Sequence, residues 1–180
     1  MSEDIKNAIE SHINEKMIIR IERKNVSDDE AIVGFPIMMS NDFLLMTNIF
    51  DFYDDGYTIV KMADISDAYS KESDTFYEMI CVKENLQNKI NECPVSSVTN
   101  MKETLTELSK EDLFIIVECE KNKDSFFIGK IESIGENQVA MRSFDALGNW
   151  YDKISVLMYE NITRITFLDR YSKMYFKYMK

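Results

Sequence analysis

The side chains that nucleophilic or metal chemistry would need are few in this chain. There is one histidine, His12, and there are three cysteines, Cys81, Cys93 and Cys119. A hydrolytic triad needs a base beside its nucleophile, and a zinc site needs several Cys or His ligands at short spacing. The cysteines are widely separated and follow no metal or redox spacing. They read as free thiols of a reducing cytosol. His12 on a short helix reads as a surface or packing residue. Asp51, Asp54 and Asp55 stand before Gly56, a density of carboxylates that suggests calcium. A helix-flanked calcium loop needs acids at regular spacing and a closing Glu, whereas these flanks read as strands, so a hairpin turn is expected. With five glycines in all, no phosphate-cradling glycine loop is present. No catalytic constellation, metal site or cofactor is therefore expected.

Charge gives the second candidate chemistry. The net charge is −11, unevenly spread. Residues 1–90 hold 18 acids against 9 bases, and residues 91–180 hold 14 against 12. Nucleic-acid affinity rests on Lys and Arg displacing counterions from phosphates, so this balance opposes it. It suits solubility or a basic protein partner. The acids that would steer such a partner are Asp28, Asp29 and Glu30 in one turn and Asp51, Asp54 and Asp55 in another. Arg142, Arg164 and Arg170 are exceptions to the acidic surface. With Trp150, the only tryptophan, they form either a binding patch or ordinary charge pairs around a core residue.

These residues need elements to position them. Ser2 caps a helix over residues 2–14, with Ile5, Ile9 and His12 or Ile13 on one face. Met17 to Arg23 reads as a strand, followed by a polar turn from Asn25 to Glu30. Strands are expected at Ile32–Met38, Phe43–Asn48 and Thr58–Met62, with a short fifth starting near Ile65. The segment Asp51–Gly56 reads as a hairpin connection. Asn100 or Thr99 caps a second helix carrying Met101, Leu105 and Leu108, and strands follow at Leu113–Cys119, Phe126–Ile134, Gln138–Phe144 and Lys153–Met158. A turn over Lys121–Ser125 separates the first two, and a short fifth strand starts near Ile162. Leu168–Met179 reads as a helix, with Tyr171, Met174, Tyr175 and Tyr178 expected to pack inward.

The order of elements repeats. Glu15–Glu22 matches Glu111–Glu118, Val33-Gly34 matches Ile128-Gly129, Phe50-Asp51 matches Phe144-Asp145, and Asp64–Ser66 matches Asn161–Thr163. The offset stays between 94 and 97 residues, which indicates a duplicated small domain. The expected division is 1–88 for the first copy, 89–98 for a linker and 99–180 for the second. Gly34 and Gly129, inside strand patterns, predict a sharp bend in each second strand.

A helix followed by about five short, bent strands resembles the Sm-like fold. The stretches Phe127-Ile-Gly-Lys-Ile131, Asp145-Ala-Leu-Gly-Asn-Trp150 and Tyr159-Glu-Asn-Ile-Thr-Arg-Ile-Thr-Phe167, followed by Arg170-Tyr171, also resemble a group of uncharacterised bacterial proteins. The resemblance implies a mainly β (α+β) chain of two tandem Sm-like or SH3-like antiparallel barrels, each with an N-terminal helix and a short C-terminal helical segment. Sm-like RNA binders carry an Arg-Gly pair that helps to pocket a base, and no such pair occurs here. The expected role is thus a non-catalytic cytoplasmic protein-interaction module, in its most concrete form an acidic antagonist of a basic toxin or nuclease. An Sm-like RNA-binding or regulatory role is the alternative. The N-terminus shows no signal-peptide pattern and no apolar run approaches a membrane span, so no membrane partner is expected.

Overall fold

The computed structural model describes residues 2–24, 26, 31–121 and 126–179. The acids Asp28, Asp29 and Glu30, and the turns expected at Asn25–Glu30 and Lys121–Ser125, fall largely or wholly outside them. Helix α1 (Glu3–Glu15) starts where the Ser2 hydroxyl accepts the Ile5 N–H and stops at Lys16 in a left-handed conformation. Strands β1 (Ile19–Arg23), β2 (Ile32–Gly34), β3 (Pro36–Met39), β4 (Phe43–Phe50), β5 (Tyr53–Lys61) and β6 (Ile65–Tyr69) follow. Then come α2 (Asp74–Lys83), α3 (Lys89–Glu92) and α4 (Met101–Leu108). The chain ends with β7 (Ile115–Glu118), β8 (Phe126–Ile134), β9 (Gln138–Ser143), β10 (Ser155–Met158), β11 (Arg164–Phe167) and α5 (Arg170–Tyr178). The fold is mixed α+β, and every strand pairing among the described residues is antiparallel. No described helix is long and apolar enough to cross a membrane.

The strands form an eight-stranded sheet, β10-β9-β8-β7-β11-β5-β4-β3, and a three-stranded sheet, β2-β1-β6. This departs from the expected pair of closed barrels. β11 pairs on one side with β7 and on the other with β5, so one sheet runs continuously across the two halves of the chain. The strand expected over Ile32–Met38 divides at Phe35. Pro36 has no N–H for a ladder, and the Phe35 N–H turns instead to the Thr47 hydroxyl at 2.8 Å.

Two glycines allow strands to approach their neighbours closely. A Cβ on Gly34 would lie 2.0 Å from the Thr47 carbonyl oxygen, and one on Gly129 would lie 2.0 Å from that of Arg142. Gly34 faces Ile19 and Gly129 faces Ile115. The Phe50–Phe144 match expected from the sequence fails by one residue. Phe144 is buried with Phe114, Ile116 and Ile128, whereas Ile49 is the residue buried beside Ile18, and Phe50 is exposed. The separation of 95 residues between Gly34 and Gly129 also relates Ile49 to Phe144.

The core is shared between the halves. Its largest cluster joins Leu45, Tyr57 and Ile59 to Ile115, Val117, Val139, Leu157, Ile165 and Phe167. Segment 89–98, expected as a linker, is part of that core: Val95 and Val98 are buried in it, and α3 occupies residues 89–92. The Tyr57 hydroxyl donates to the Lys89 carbonyl at 2.9 Å, and the Ser40 hydroxyl to that of Val98 at 2.9 Å. Apolar residues at 95 and 98 gain more from this burial than from exposure in a free linker.

Candidate interaction surface

The β4–β5 connection is shorter than the Asp51–Gly56 turn expected from composition. Phe50 faces Tyr53 directly, and only Asp51 and Phe52 lie between them, with φ of 44° and 64°. Two successive positive φ values match the twist of a two-residue hairpin. A phenylalanine there costs about 1–2 kcal/mol, because its Cβ crowds the following carbonyl. The neighbouring helix offsets that strain. The Phe52 ring stacks on Tyr77 of α2 at a centroid distance of 4.5 Å, and its N–H donates to the Tyr77 hydroxyl at 3.3 Å. Burial pushes that hydroxyl's pKa up, so it keeps its proton.

Helix α2 is itself firmly held. The Arg20 guanidinium grips Asp74 through Nε at 2.9 Å and Nη2 at 2.7 Å. These bonds hold the Asp74 carboxyl below its ordinary pKa. The Glu78 carboxylate accepts the Ile18 N–H at 2.7 Å. Beside the exposed Asp51, α2 and the hairpin tip turn several apolar side chains outward: Phe50 is 63% exposed, Tyr53 62% and Phe76 67%, with Met79 and Val82 also exposed. A cleft of about 520 Å³ opens beside them, lined by Arg20, Ile32, Asn48, Ile49, Tyr77 and Arg164, with Phe50 and Asp51 also in its wall.

The expected acids divide by role. Asp51 is exposed at the tip. Asp54 accepts the Gly56 N–H at 3.1 Å and stands 3.6 Å from the Lys89 ammonium. Asp55 accepts from Asn48 at 3.2 Å and from the Arg170 N–H at 3.0 Å. Asp55 thus holds the hairpin against the chain that follows β11, while Asp54 faces α3. Gly56 completes that contact: its φ is 73°, and a Cβ would lie 2.4 Å from the Phe167 carbonyl oxygen.

The second expected patch is assembled in part. The Arg142 guanidinium lies 5.7 Å from the centre of the Trp150 ring, and Trp150 meets Phe114 and Phe144 edge-on at 5.5 and 5.4 Å. Arg164 faces Glu118 at 3.5 Å and donates to Thr58 at 3.2 Å, on the joint between β5 and β11. The Arg170 side chain is exposed at the start of α5. On α5 the inward residues are Tyr175, Phe176 and Met179, while Tyr171, Met174 and Tyr178 are exposed, which corrects the expected stripe. Phe176 and Met179 reach the Phe114 cluster from the adjoining side of the helix and set its rotation.

The thiols are placed for packing. Burial pushes Cys81 and Cys93 up to about 11 and raises Cys119, so little reactive thiolate exists near neutral pH. His12 Nδ1 donates to the Ala8 carbonyl at 2.7 Å. Sequence reasoning missed Phe50, Phe52, Tyr53 and Phe76 as a surface. The run Phe50-Asp-Phe-Tyr53 was the available signal: three aromatics in four residues at a hairpin tip exceed what a solvated turn needs.

No protein-family model matches the chain, and neither a curated protein nor a solved structure matches it.

Proposed function

We propose that this chain is a non-catalytic protein-interaction module whose working face is the β4–β5 hairpin tip with the outer side of α2. The observation that carries this is the strained Asp51-Phe52 turn, which is braced on Tyr77 while Phe50, Tyr53 and Phe76 remain in solvent. Backbone strain beside exposed aromatics is a recurring mark of recognition sites. Aromatic anchors supply most of the energy in such contacts, and the surrounding acids supply steering. The partner is therefore a basic protein, and an acidic antagonist of a basic toxin or nuclease is the form that fits this chemistry.

The scaffold of this proposal is a tandem of two Sm-like units. Matching registers support it. Ile19↔Gly34, Arg20↔Val33 and Ile21↔Ile32 are paralleled by Ile115↔Gly129, Ile116↔Ile128 and Val117↔Phe127. The identical close approaches at Gly34 and Gly129 support it further.

The test is capture from the native cytosol on the parent chain, followed by association kinetics of the captured protein. The expected partner is basic, and Phe50→Ser with Tyr53→Ser abolishes its binding. An acidic partner, or one indifferent to both changes, refutes the reading.

A further inference from the structure

We propose that an extended, basic segment of the partner lies in a groove crossing the joint between the two halves of the chain, its cationic end at the β4–β5 hairpin and an apolar side chain in the second half. The proposal rests on reading the hairpin face as a site for a basic protein. Three hollows adjoin in series. The cleft of about 520 Å³ beside the hairpin shares Asp55 and Arg164 with a second hollow of about 310 Å³. That hollow shares Phe126 and Tyr171 with a third, of about 450 Å³, whose wall includes Ser143, Phe144 and Tyr151.

The joint between β5 and β11 makes the middle of this groove. Thr166 faces Thr58 on one side and Ile116 on the other, and Ile116 faces Ile128, so all four point to one face of the eight-stranded sheet. Ile59, Ile165 and Val117 point to the opposite face, into the largest core cluster. From Asp55 on β5 to Ser143 on β9 the sheet order is β5-β11-β7-β8-β9. The four strand spacings span about 19 Å, the reach of about six extended residues.

The two ends of the groove differ in chemistry. Near the hairpin, Arg20 is paired with Asp74 at 2.7 Å and Arg164 with Glu118 at 3.5 Å. Asp51, Asp55 and Asp169 line the same end. Asp55 accepts from Asn48 and from the Arg170 N–H, Asp169 accepts from the Ser172 N–H, and Asp51 is exposed. Three negative charges thus stand there without an ion pair among the described residues. A lysine or arginine of the partner supplies the counter-charge. At the far end Phe126 is 51% exposed, Tyr151 51% and Tyr171 49%. The one acid in that wall, Asp145, is occupied by the N–H groups of Leu147 and Asn149. Ser143 is buried in the same wall, and its hydroxyl has no hydrogen-bond partner among the described residues. The aromatic rings accept an apolar side chain, and the unsatisfied hydroxyl offers the segment's backbone a hydrogen bond.

Selection of phage-displayed random peptides of about ten residues on the full chain tests this. Enriched peptides are expected to carry Arg or Lys about six positions from a large apolar residue. Phe126→Ser with Tyr171→Ser, at half-exposed positions, is expected to weaken a selected peptide about tenfold or more while thermal unfolding stays close to that of the parent. Asp51→Asn is expected to weaken it less, and only at low salt. Enrichment of no peptide, or of peptides without a basic residue, overturns the proposal. So do peptides that bind the Phe126→Ser, Tyr171→Ser chain as tightly as the parent. Displacement of the peptides by single-stranded RNA at physiological salt would assign the groove to nucleic acid and overturn it as well. A captured partner that needs Phe50 and Tyr53 but tolerates Phe126→Ser with Tyr171→Ser refutes the groove alone. One indifferent to Phe50→Ser with Tyr53→Ser refutes the hairpin face, whatever the peptides do.

Discussion

Arg23 and Glu120, 97 residues apart, form a two-pronged ion pair between the halves of the chain, with Nη1–Oε2 at 2.7 Å and Nη2–Oε1 at 2.8 Å. Both side chains are buried, at 4% and 3% exposure. The Thr163 hydroxyl donates to the same carboxylate at 2.6 Å. Truncating one member of a buried pair leaves its partner's charge poorly compensated. Glu120→Gln is expected to lower unfolding free energy by about 3–5 kcal/mol, read from urea denaturation. Replacing Arg23 and Glu120 together with apolar residues of similar volume should recover much of that loss.

The close approaches at Gly34 and Gly129 predict matched sensitivity. An added methyl at either position meets a backbone carbonyl at 2.0 Å, and backbone cannot rotate away as a side chain can. Gly34→Ala and Gly129→Ala should each cost about 1–3 kcal/mol or more, the usual range for overpacking. Thermal unfolding of the two variants checks this, and a tolerated substitution at either site would contradict the geometry.

Stability should fall on the acid side through Asp74. Its pKa is held down in the folded state, chiefly by the Arg20 hydrogen bonds and then by the Lys71 N–H. A depressed carboxyl pKa contributes stability that is present above the unfolded value, about 3.9, and is lost as pH falls through the lower folded value. Asp74→Asn should therefore be less stable than the parent at neutral pH, and the difference should shrink as pH falls below about 4. Chemical denaturation across that range measures both arms.

Phe52 separates strain from recognition. Phe52→Gly removes about 1–2 kcal/mol of left-handed strain and loses a stack of about 0.5–1.5 kcal/mol, so stability should stay within roughly 1 kcal/mol of the parent. Asp51→Asn keeps the turn and removes the exposed charge at the tip. In association kinetics it should slow the encounter with a basic partner at low salt and weaken the salt dependence. Equal rates would make Asp51 a solubility charge only.

The net charge of −11 predicts little affinity for nucleic acid. Single-stranded RNA titrated at physiological salt should show no binding tighter than about 10 μM. A submicromolar, salt-sensitive anisotropy signal that is lost in Arg142→Ala would instead favour RNA binding at the Arg142–Trp150 stack.

Much of the chain was legible because its signals are local. Ser2 and Asn100 cap the helices that follow them, and each accepts an N–H from the first turn. The buried residues Ile19, Ile21, Ile115 and Val117 lie in expected strands, because period-two burial needs only the strand and one covered face. The glycines at 34 and 129 stood out inside strand patterns, and each lies where a neighbouring carbonyl leaves no room for a side chain. What tertiary structure alone decided depends on partners distant in sequence. β11 chose β5 as its second neighbour, which no pattern within residues 164–167 encodes, and that choice replaced two closed barrels with one continuous sheet. Val95 and Val98 became core because α4 and β5 brought a surface to them. Asp51 and Phe52 adopted positive φ because Tyr77, 25 residues past Phe52, supplied a ring and a hydroxyl to hold them. Local sequence sets which conformations are cheap, and only the assembled neighbours determine which costly one is stabilised.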